Sequence, residues 1–312
     1  MKLLIKLFLL FFLVTLLSCN NKQDKNQSTD DSKLKVTSTT GMITDALQFI
    51  AGDKIELVAT ICGPGIDPHS YIPTTRDIVN IEKSDLIIYN GLNLEAKMGD
   101  IFAKLDKKKA YAIGEAIPQE QLINNSEKSD ILDYDPHVWN DPMLWLFSLN
   151  MLINVLVEKD SANAEHYKTK GAEYIEQIKD AYNYAKSKFD IIPRNQKEYS
   201  LVNMMHFNIL AKAYGFQVRS ILGMNTDTEA GVKTIQELTN YIVDNKIKAV
   251  FAETIINHKG IQALVNSAKN RKWELKIADK PLYSDALGQK PLTDTFVGII
   301  KYNADVLYDV LK

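Results

Sequence analysis

The sequence predicts an α/β protein of two lobes, each a parallel sheet flanked by helices, bridged by one long helix. From Leu34 onward, short runs rich in β-branched residues alternate with amphipathic stretches. Such alternation is typical of parallel strands covered by helices. Between residues 161 and 190 the pattern changes to one continuous apolar repeat at helical spacing. The strand and helix alternation restarts after Pro193, and this restart predicts a second lobe.

The first 33 residues are predicted to precede the fold. Two lysines come before the apolar stretch Leu7 to Leu17, which is too short to span a bilayer and ends shortly before Cys19. We interpret residues 1–18 as a lipoprotein signal peptide and Cys19 as the lipidated residue; a secretory signal with an incidental cysteine is the alternative. Residues 20–33 contain no aliphatic or aromatic side chain, so residues 19–33 are expected to form a flexible tether. The folded part should therefore be lipid-anchored outside the cytoplasm, in a periplasm or on the outer face of the cell membrane.

The N-terminal lobe is predicted to cover residues 34–160. Its predicted strands are Leu34 to Ser38, Ile55 to Cys62, Asp85 to Asn90 and Lys109 to Ile113, and its predicted helices are Met42 to Ala51 and Leu94 to Leu105. We expect Cys62 to be a small buried apolar residue at a strand end, with soft-metal contact as the alternative. Trp139 and Trp145 flank a predicted helix start and are expected in the core.

A linking helix is predicted over residues 161–190, and the C-terminal lobe over residues 191–312. Gly171 is the weak point of the linking helix, because glycine costs about 1 kcal/mol relative to alanine inside a helix. The predicted strands of the C-terminal lobe are Glu198 to Asn203, Gln217 to Leu222, Ala249 to Thr254 and Glu274 to Ala278, and its predicted helices are Phe207 to Tyr214, Glu229 to Asn245, Gly260 to Lys272 and Thr293 to Leu311.

The charge balance argues against nucleic acid as a partner. Removal of Lys2 and Lys6 with the signal peptide changes the formal net charge from −2 to −4, and no basic stripe is present. A mildly acidic chain without a basic stripe is not attracted to polyanions. We expect a monomer that binds neither nucleic acid nor an anionic membrane surface through its charge.

Two of the five histidines, His69 and His137, occur in the same tripeptide, Asp-Pro-His. His69 lies on a turn with two glycines and two prolines directly after the predicted strand that ends at Cys62. A histidine on a rigid turn loses little side-chain entropy when it coordinates a metal, whereas the alternative is a surface turn with an incidental histidine. The recurrence of the tripeptide favours the metal ligand.

Further donors follow other predicted strands. His206 comes just after the strand ending at Asn203, Glu253 closes a third strand, and Asp285 follows a turn. In open α/β sheets ligands bind beyond the carboxyl ends of the strands, and imidazoles with carboxylates suit zinc or manganese. The alternatives stay open: His206 as a helix-start residue, Glu253 as a group that orients a ligand, and Asp285 as a cap.

The remaining histidines, His166 and His258, lie in stretches rich in charged residues and are expected to be solvated.

Several separated motifs resemble the TroA-like zinc- and manganese-binding receptor lipoproteins of bacterial ABC transporters. The motifs are Gly63-Pro-Gly-Ile-Asp-Pro-His-Ser-Tyr71, Tyr89-Asn-Gly-Leu-Asn-Leu-Glu-Ala-Lys-Met98, Asp135-Pro-His-Val-Trp-Asn-Asp-Pro142, Ala213-Tyr-Gly-Phe216 and Ser284-Asp-Ala-Leu-Gly288. The resemblance implies two Rossmann-like lobes and a metal held by His69, His137, a third residue and Asp285. It also implies a receptor, not an enzyme, that captures Mn²⁺ or Zn²⁺ and delivers it to an ABC permease.

The third ligand is the point at which the chain departs from the family pattern. The family shows a histidine or glutamate after a strand and about eleven residues before a Tyr-Gly pair. Counting back from Tyr214 gives Met204, and counting forward from the strand gives Met205, whereas His206 comes one or two positions later. A thioether prefers Cu(I), so we expect His206 to be the ligand, with Met204 as the alternative.

The sequence leaves alternatives open for the identity of the metal and for the function. Residues 118–133 contain no histidine, unlike the histidine-rich loop of some zinc-specialised relatives, and this favours the manganese or mixed-metal branch. A zinc metallohydrolase could use the same cleft with Glu253 as general base, and an adhesin could carry an incidental metal. Neither a nucleophile motif nor a helix with paired histidines accompanies the site, so the receptor is our primary hypothesis.

Overall fold

The N-terminal half is built on a four-stranded, all-parallel sheet. The computed structural model describes residues 32–124, 134–199, 201–203, 207–220, 231–254 and 259–312. The strands are β1 (Leu34–Thr40), β2 (Ile55–Cys62), β3 (Leu86–Tyr89) and β4 (Ala110–Ala112), in the order β2-β1-β3-β4. All four strands predicted for this half are present. Residues 1–31, with Cys19 and most of the predicted tether, lie outside the described residues.

Four helices accompany this sheet: α1 (Gly41–Ala51), α2 (Thr75–Lys83), α3 (Gly99–Phe102) and α4 (Pro142–Lys159). The prediction of one helix from Leu94 to Leu105 is wrong, because only a 3₁₀ turn and the single-turn α3 form there. The preceding residues Gly91, Leu92 and Asn93 all have positive φ (76°, 52° and 63°), so the chain enters this segment from a turn. Helix α2 was not predicted. The helix start expected between Trp139 and Trp145 is confirmed, since α4 begins at Pro142. The extent of α4 was not predicted, because its apolar residues continue beyond the buried side of the helix.

The predicted linking helix is confirmed as α5 (Ala164–Ile191), whose 28 residues make it about 42 Å long. It packs against α1, α4 and the last helix of the chain. This packing explains why residue 171 is glycine, since a Cβ at that position would clash with Cδ1 of Ile153 on α4. The helix is thus in close contact with elements from both ends of the chain.

The C-terminal half contains two small parallel sheets among the described residues, β5 with β6 and β7 with β8. Its elements are α6 (Arg194–Tyr199), β5 (Leu201–Asn203), α7 (Asn208–Tyr214), β6 (Val218–Ser220), α8 (Val232–Asp244), β7 (Ala249–Val250), α9 (Lys259–Asn270), β8 (Lys276–Ile277) and α10 (Phe296–Leu311). The strand predicted from Glu198 begins later than expected, because Glu198 and Tyr199 belong to α6.

One hydrogen-bonded carboxylate joins elements that are far apart in the sequence. Asp45 on α1 accepts hydrogen bonds from the hydroxyl of Tyr174 on α5 and, at 3.0 Å, from the backbone N–H of Phe296 at the start of α10. Burial raises the pKa of Asp45, although both hydrogen bonds oppose that rise. The two ends of the chain therefore meet on the same part of α5.

The core confirms the expectations for three side chains. Trp139 and Trp145 are buried in the large apolar cluster of the N-terminal half, and Cys62 is buried in a smaller cluster with Phe102 and Ile81. Within the part of the chain that the structure describes, no helix is both long enough and apolar enough to cross a membrane.

Candidate metal centre

His69 is mounted on the loop that follows β2. The carboxylate of Asp67 accepts a hydrogen bond from the backbone N–H of His69 at 2.9 Å and another from the hydroxyl of Ser70 at 3.0 Å. The preceding Gly65 has φ of 78°, a left-handed conformation that favours glycine. The backbone at His69 is thus fixed by local contacts, as the sequence predicted.

The far end of the same loop is anchored by the start of α2. Thr74 and Asp77 form a reciprocal capping box, and the hydroxyl of Tyr71 donates to Asp77 at 2.7 Å. Burial acts against the charge of Asp77, but hydrogen bonds from Tyr71 and Thr74 outweigh it and lower the pKa of Asp77. The cap therefore holds both the helix and the loop that carries His69.

His137 is fixed by a carboxylate that sequence reasoning missed. One oxygen of Asp135, Oδ1, accepts hydrogen bonds from Nδ1 of His137 at 2.6 Å and from the backbone N–H of His137 at 3.0 Å. Such a bond favours the neutral tautomer in which the lone pair is on Nε2, the nitrogen that faces the donor cluster. The available signal was the first residue of the tripeptide Asp-Pro-His, whose recurrence was used as evidence for the histidine alone.

Asp285 lies on the segment between β8 and α10. The first residues of this segment form hydrogen bonds with the chain that follows β7 and with α10. The backbone N–H of Leu282 donates to Ala252 at 2.8 Å, and the side chain of Asn303 on α10 bonds both backbone groups of Tyr283, at 2.9 and 2.7 Å. Asn303 is a second contributor that the sequence did not reveal. These bonds place Asp285 at the carboxyl end of the small sheet.

The three side chains converge on one point. Nε2 of His69 lies 2.8 Å from Nε2 of His137, and Oδ2 of Asp285 lies 3.6 Å from the first and 3.7 Å from the second. The exposed fractions are 7%, 0% and 1%, respectively. Two donors at about 2.1 Å from one tetrahedral ion would be about 3.4 Å apart, which fits the two distances to Asp285. The two Nε2 atoms lie at hydrogen-bond distance instead, so an ion held by both would move the rings slightly apart.

The electrostatics of the cluster favour a positive charge. Burial alone would lower the pKa of His137, but the carboxylates of Asp285 and Asp135 outweigh it and raise that pKa to about 10. Both carboxylates are themselves buried, where charge interactions are poorly screened. A divalent cation would therefore compete with a proton for Nε2 of His137, and both carboxylates favour the cation.

The other candidate donors from the sequence do not join this cluster among the described residues. His206, with Met204 and Met205, lies outside the described residues, and so does His258. Glu253 is fully buried and pairs with Leu282 through a parallel bridge, but among the described residues the cluster of donor atoms within 4.8 Å contains only His69, His137 and Asp285. His166, which was expected to be solvated, is instead half-buried, with its ring against that of Tyr167.

The sequence matches a family model described as ZnuA, the periplasmic component A of a zinc-uptake complex, over residues 36–310. It is 32% identical over 306 residues to the manganese-binding lipoprotein MntA of Bacillus subtilis, with 97% of each chain covered. It is also 33% identical over 283 residues to the zinc-binding protein TroA of Treponema pallidum, with 90% of each chain covered.

Solved structures show the same architecture. The periplasmic zinc-binding protein TroA from Treponema pallidum superposes with a TM-score of 0.84 at 33% identity, covering 89% of this chain and 99% of that one. This match confirms the predicted α/β fold with parallel sheets flanked by helices and one long helix.

Proposed function

The chain belongs to the family of periplasmic zinc-uptake components, and from this premise we propose that it captures Mn²⁺ or Zn²⁺ outside the cytoplasmic membrane and delivers the ion to an ABC permease. One observation supports this proposal above all others. Donor atoms from both halves of the chain, His69 and His137 from one and Asp285 from the other, lie within 4.8 Å of one another in a buried cluster. Metal is thus the cargo of the protein.

The donor set suits the proposed cargo. Two imidazoles and a carboxylate bind zinc and manganese, whereas soft metals prefer thiolate or thioether ligands. His206 is our proposed fourth ligand, and Met204 is the alternative. The relatives include proteins named for manganese and for zinc, so we propose that the site accepts either ion.

Release follows from the division of the ligands. We propose that residues 34–160 and 191–312 act as two lobes, connected by residues 161–190, and that the ion lies between them. Since Asp285 belongs to one lobe and both histidines to the other, a small separation breaks the coordination set. A permease that separates the lobes would therefore release the ion without any chemical step.

The same proposal includes the place of the protein in the cell. Relatives covering 97% of this chain are named lipoproteins, which supports lipidation at Cys19 and a lipid-anchored, extracytoplasmic location. We propose that the protein acts as a monomer. The tether of residues 19–33 would let the folded part reach a permease in the same membrane. The family consists of uptake components, and no observation at the site favours a hydrolase.

The test uses the soluble chain from Ser32 onward, stripped of metal and titrated with Zn²⁺ and Mn²⁺. Wild type should bind one ion per chain without hydrolytic turnover. His69→Ala, His137→Ala and Asp285→Ala should each weaken binding more than about 100-fold, beyond the effect typical of groups that only support a ligand. His166→Ala is the matched control and should bind as wild type.

An unchanged dissociation constant in any of the three ligand variants would contradict the proposed site. The pair His206→Ala and Met204→Ala then identifies the fourth ligand, because only the true donor should show a loss comparable with the other three.

A further inference from the structure

Trp139 connects the two segments that carry His137 and Asp285. Its indole N–H donates a hydrogen bond to the backbone carbonyl of Ser284 at 2.7 Å, and both residues are buried. Ser284 is the residue immediately before Asp285, whereas Trp139 is two residues after His137. One side chain thus bridges the two halves directly beside the donor cluster.

On the N-terminal side, Trp139 is held firmly. It lies in a 3₁₀ turn, Val138–Asn140, in which the backbone N–H of Asn140 donates to the carbonyl of His137 at 3.0 Å. Its ring packs edge-on against the ring of His137, with centroids 5.5 Å apart. Trp139 and His137 therefore form one rigid unit.

On the C-terminal side, the contacts belong to the segment before Asp285. Leu282 and Tyr283 are bonded to Ala252 and Asn303 of their own half. Ser284 is the next residue, and its carbonyl bonds to Trp139 of the other half instead. Tyr283 is thus hydrogen-bonded within the C-terminal half, whereas the next residue, Ser284, is hydrogen-bonded to the N-terminal half.

We propose that Trp139 is a positioning residue that acts as a latch: its hydrogen bond to Ser284 holds the Asp285 segment against His137 and slows the release of the ion. This inference rests on the proposed function. When the two halves separate, the bond must break, and a buried N–H and a buried C=O lose their partners. Opening is therefore opposed by a contact that does not touch the ion.

The expected effect is on dissociation. Trp139→Phe keeps an aromatic ring beside His137 but removes the N–H donor. A neutral hydrogen bond of this kind changes an equilibrium by about tenfold, so we expect the dissociation constant for Zn²⁺ to rise about tenfold, through a faster off-rate. The off-rate is measured by stopped-flow mixing of the Zn²⁺-loaded chain from Ser32 onward with excess chelator.

Trp273→Phe is the matched control. The indole N–H of Trp273 also donates to a backbone carbonyl, that of Ile247 at 2.6 Å, but both residues belong to the C-terminal half and neither belongs to the donor cluster. Replacement of Trp273 by phenylalanine should leave the off-rate of Zn²⁺ unchanged. Thermal unfolding of the metal-free variants shows whether either exchange acts by destabilising the fold.

The outcomes are distinct. The latch is supported if Trp139→Phe releases Zn²⁺ about tenfold faster while its metal-free unfolding temperature stays close to that of Trp273→Phe. It is refuted if the off-rate is unchanged, or if it rises only in proportion to a loss of stability. Failure of wild type itself to bind Zn²⁺, or unaltered binding in His69→Ala, would instead refute the proposed function.

Discussion

Asp135 provides the sharpest test of how the donor cluster is organised. Its Oδ1 accepts two hydrogen bonds from His137, at 2.6 Å from the ring and 3.0 Å from the backbone, and the carboxylate is buried. The perturbation is a pair of variants, Asp135→Asn and Asp135→Ala. The first removes the charge but keeps an oxygen acceptor, and the second removes both.

The expected loss of metal affinity follows from the two roles of Asp135, which orients the ring of His137 and places a negative charge beside it. Loss of a carboxylate that orients a histidine ligand weakens metal binding by about 10- to 100-fold, which corresponds to about 1.4–2.8 kcal/mol. Asp135→Asn should lie near the lower value, because the amide oxygen can still accept from Nδ1 of His137. Asp135→Ala should lie near the upper value, because the ring loses its orientation as well as the negative charge beside it.

Competition with a chelating fluorophore measures both dissociation constants. Asp141→Asn is the control: Asp141 caps α4 through hydrogen bonds from the N–H groups of Met143 and Leu144, and asparagine caps a helix equally well. Its affinity should equal that of wild type. The reasoning about Asp135 fails if a folded Asp135→Ala protein binds Zn²⁺ within about threefold of wild type, since this is below the range given above.

Four further predictions concern proton release on metal binding, the pH dependence of stability, helix packing and the loop of His69. Because Asp285 and Asp135 raise the pKa of His137 to about 10, Zn²⁺ binding near pH 8 should release about one proton, measured from the buffer dependence of the calorimetric enthalpy; no release would contradict this. The same raised pKa stabilises the metal-free fold below about pH 6.5, and this contribution should be lost as the pH rises towards 10, which urea unfolding across that range would show. Gly171→Ala should destabilise the fold by about 1 kcal/mol in thermal unfolding despite better helix propensity, because the new Cβ would contact the side chain of Ile153, and adding Ile153→Val should recover part of the loss. Asp77→Ala should cost about 1–2 kcal/mol through loss of the cap of α2, measured by urea unfolding, and a variant as stable as wild type would contradict the role of the capping box.

Much of the fold could be predicted because local sequence carried the information. The four strands of the first sheet and the linking helix have strong periodic patterns, and two of the three clustered donors occur in the repeated tripeptide Asp-Pro-His. The failures have separate causes. The segment from Leu94 follows a turn with three positive φ angles and forms only a 3₁₀ turn and the short α3, whereas the apolar residues of α4 extend beyond its buried side.

The sequence alone identifies His69, His137 and Asp285 as candidates, since each is a metal donor placed after a strand or turn. It could not show that their ligand atoms lie within 4.8 Å, because His137 and Asp285 are separated by most of the C-terminal half. The contact that joins the segments of His137 and Asp285, the hydrogen bond from Trp139 to Ser284, was visible only in the folded chain. The physical reason is that propensity and periodicity act over a few residues, whereas a coordination site depends on contacts between segments more than a hundred residues apart.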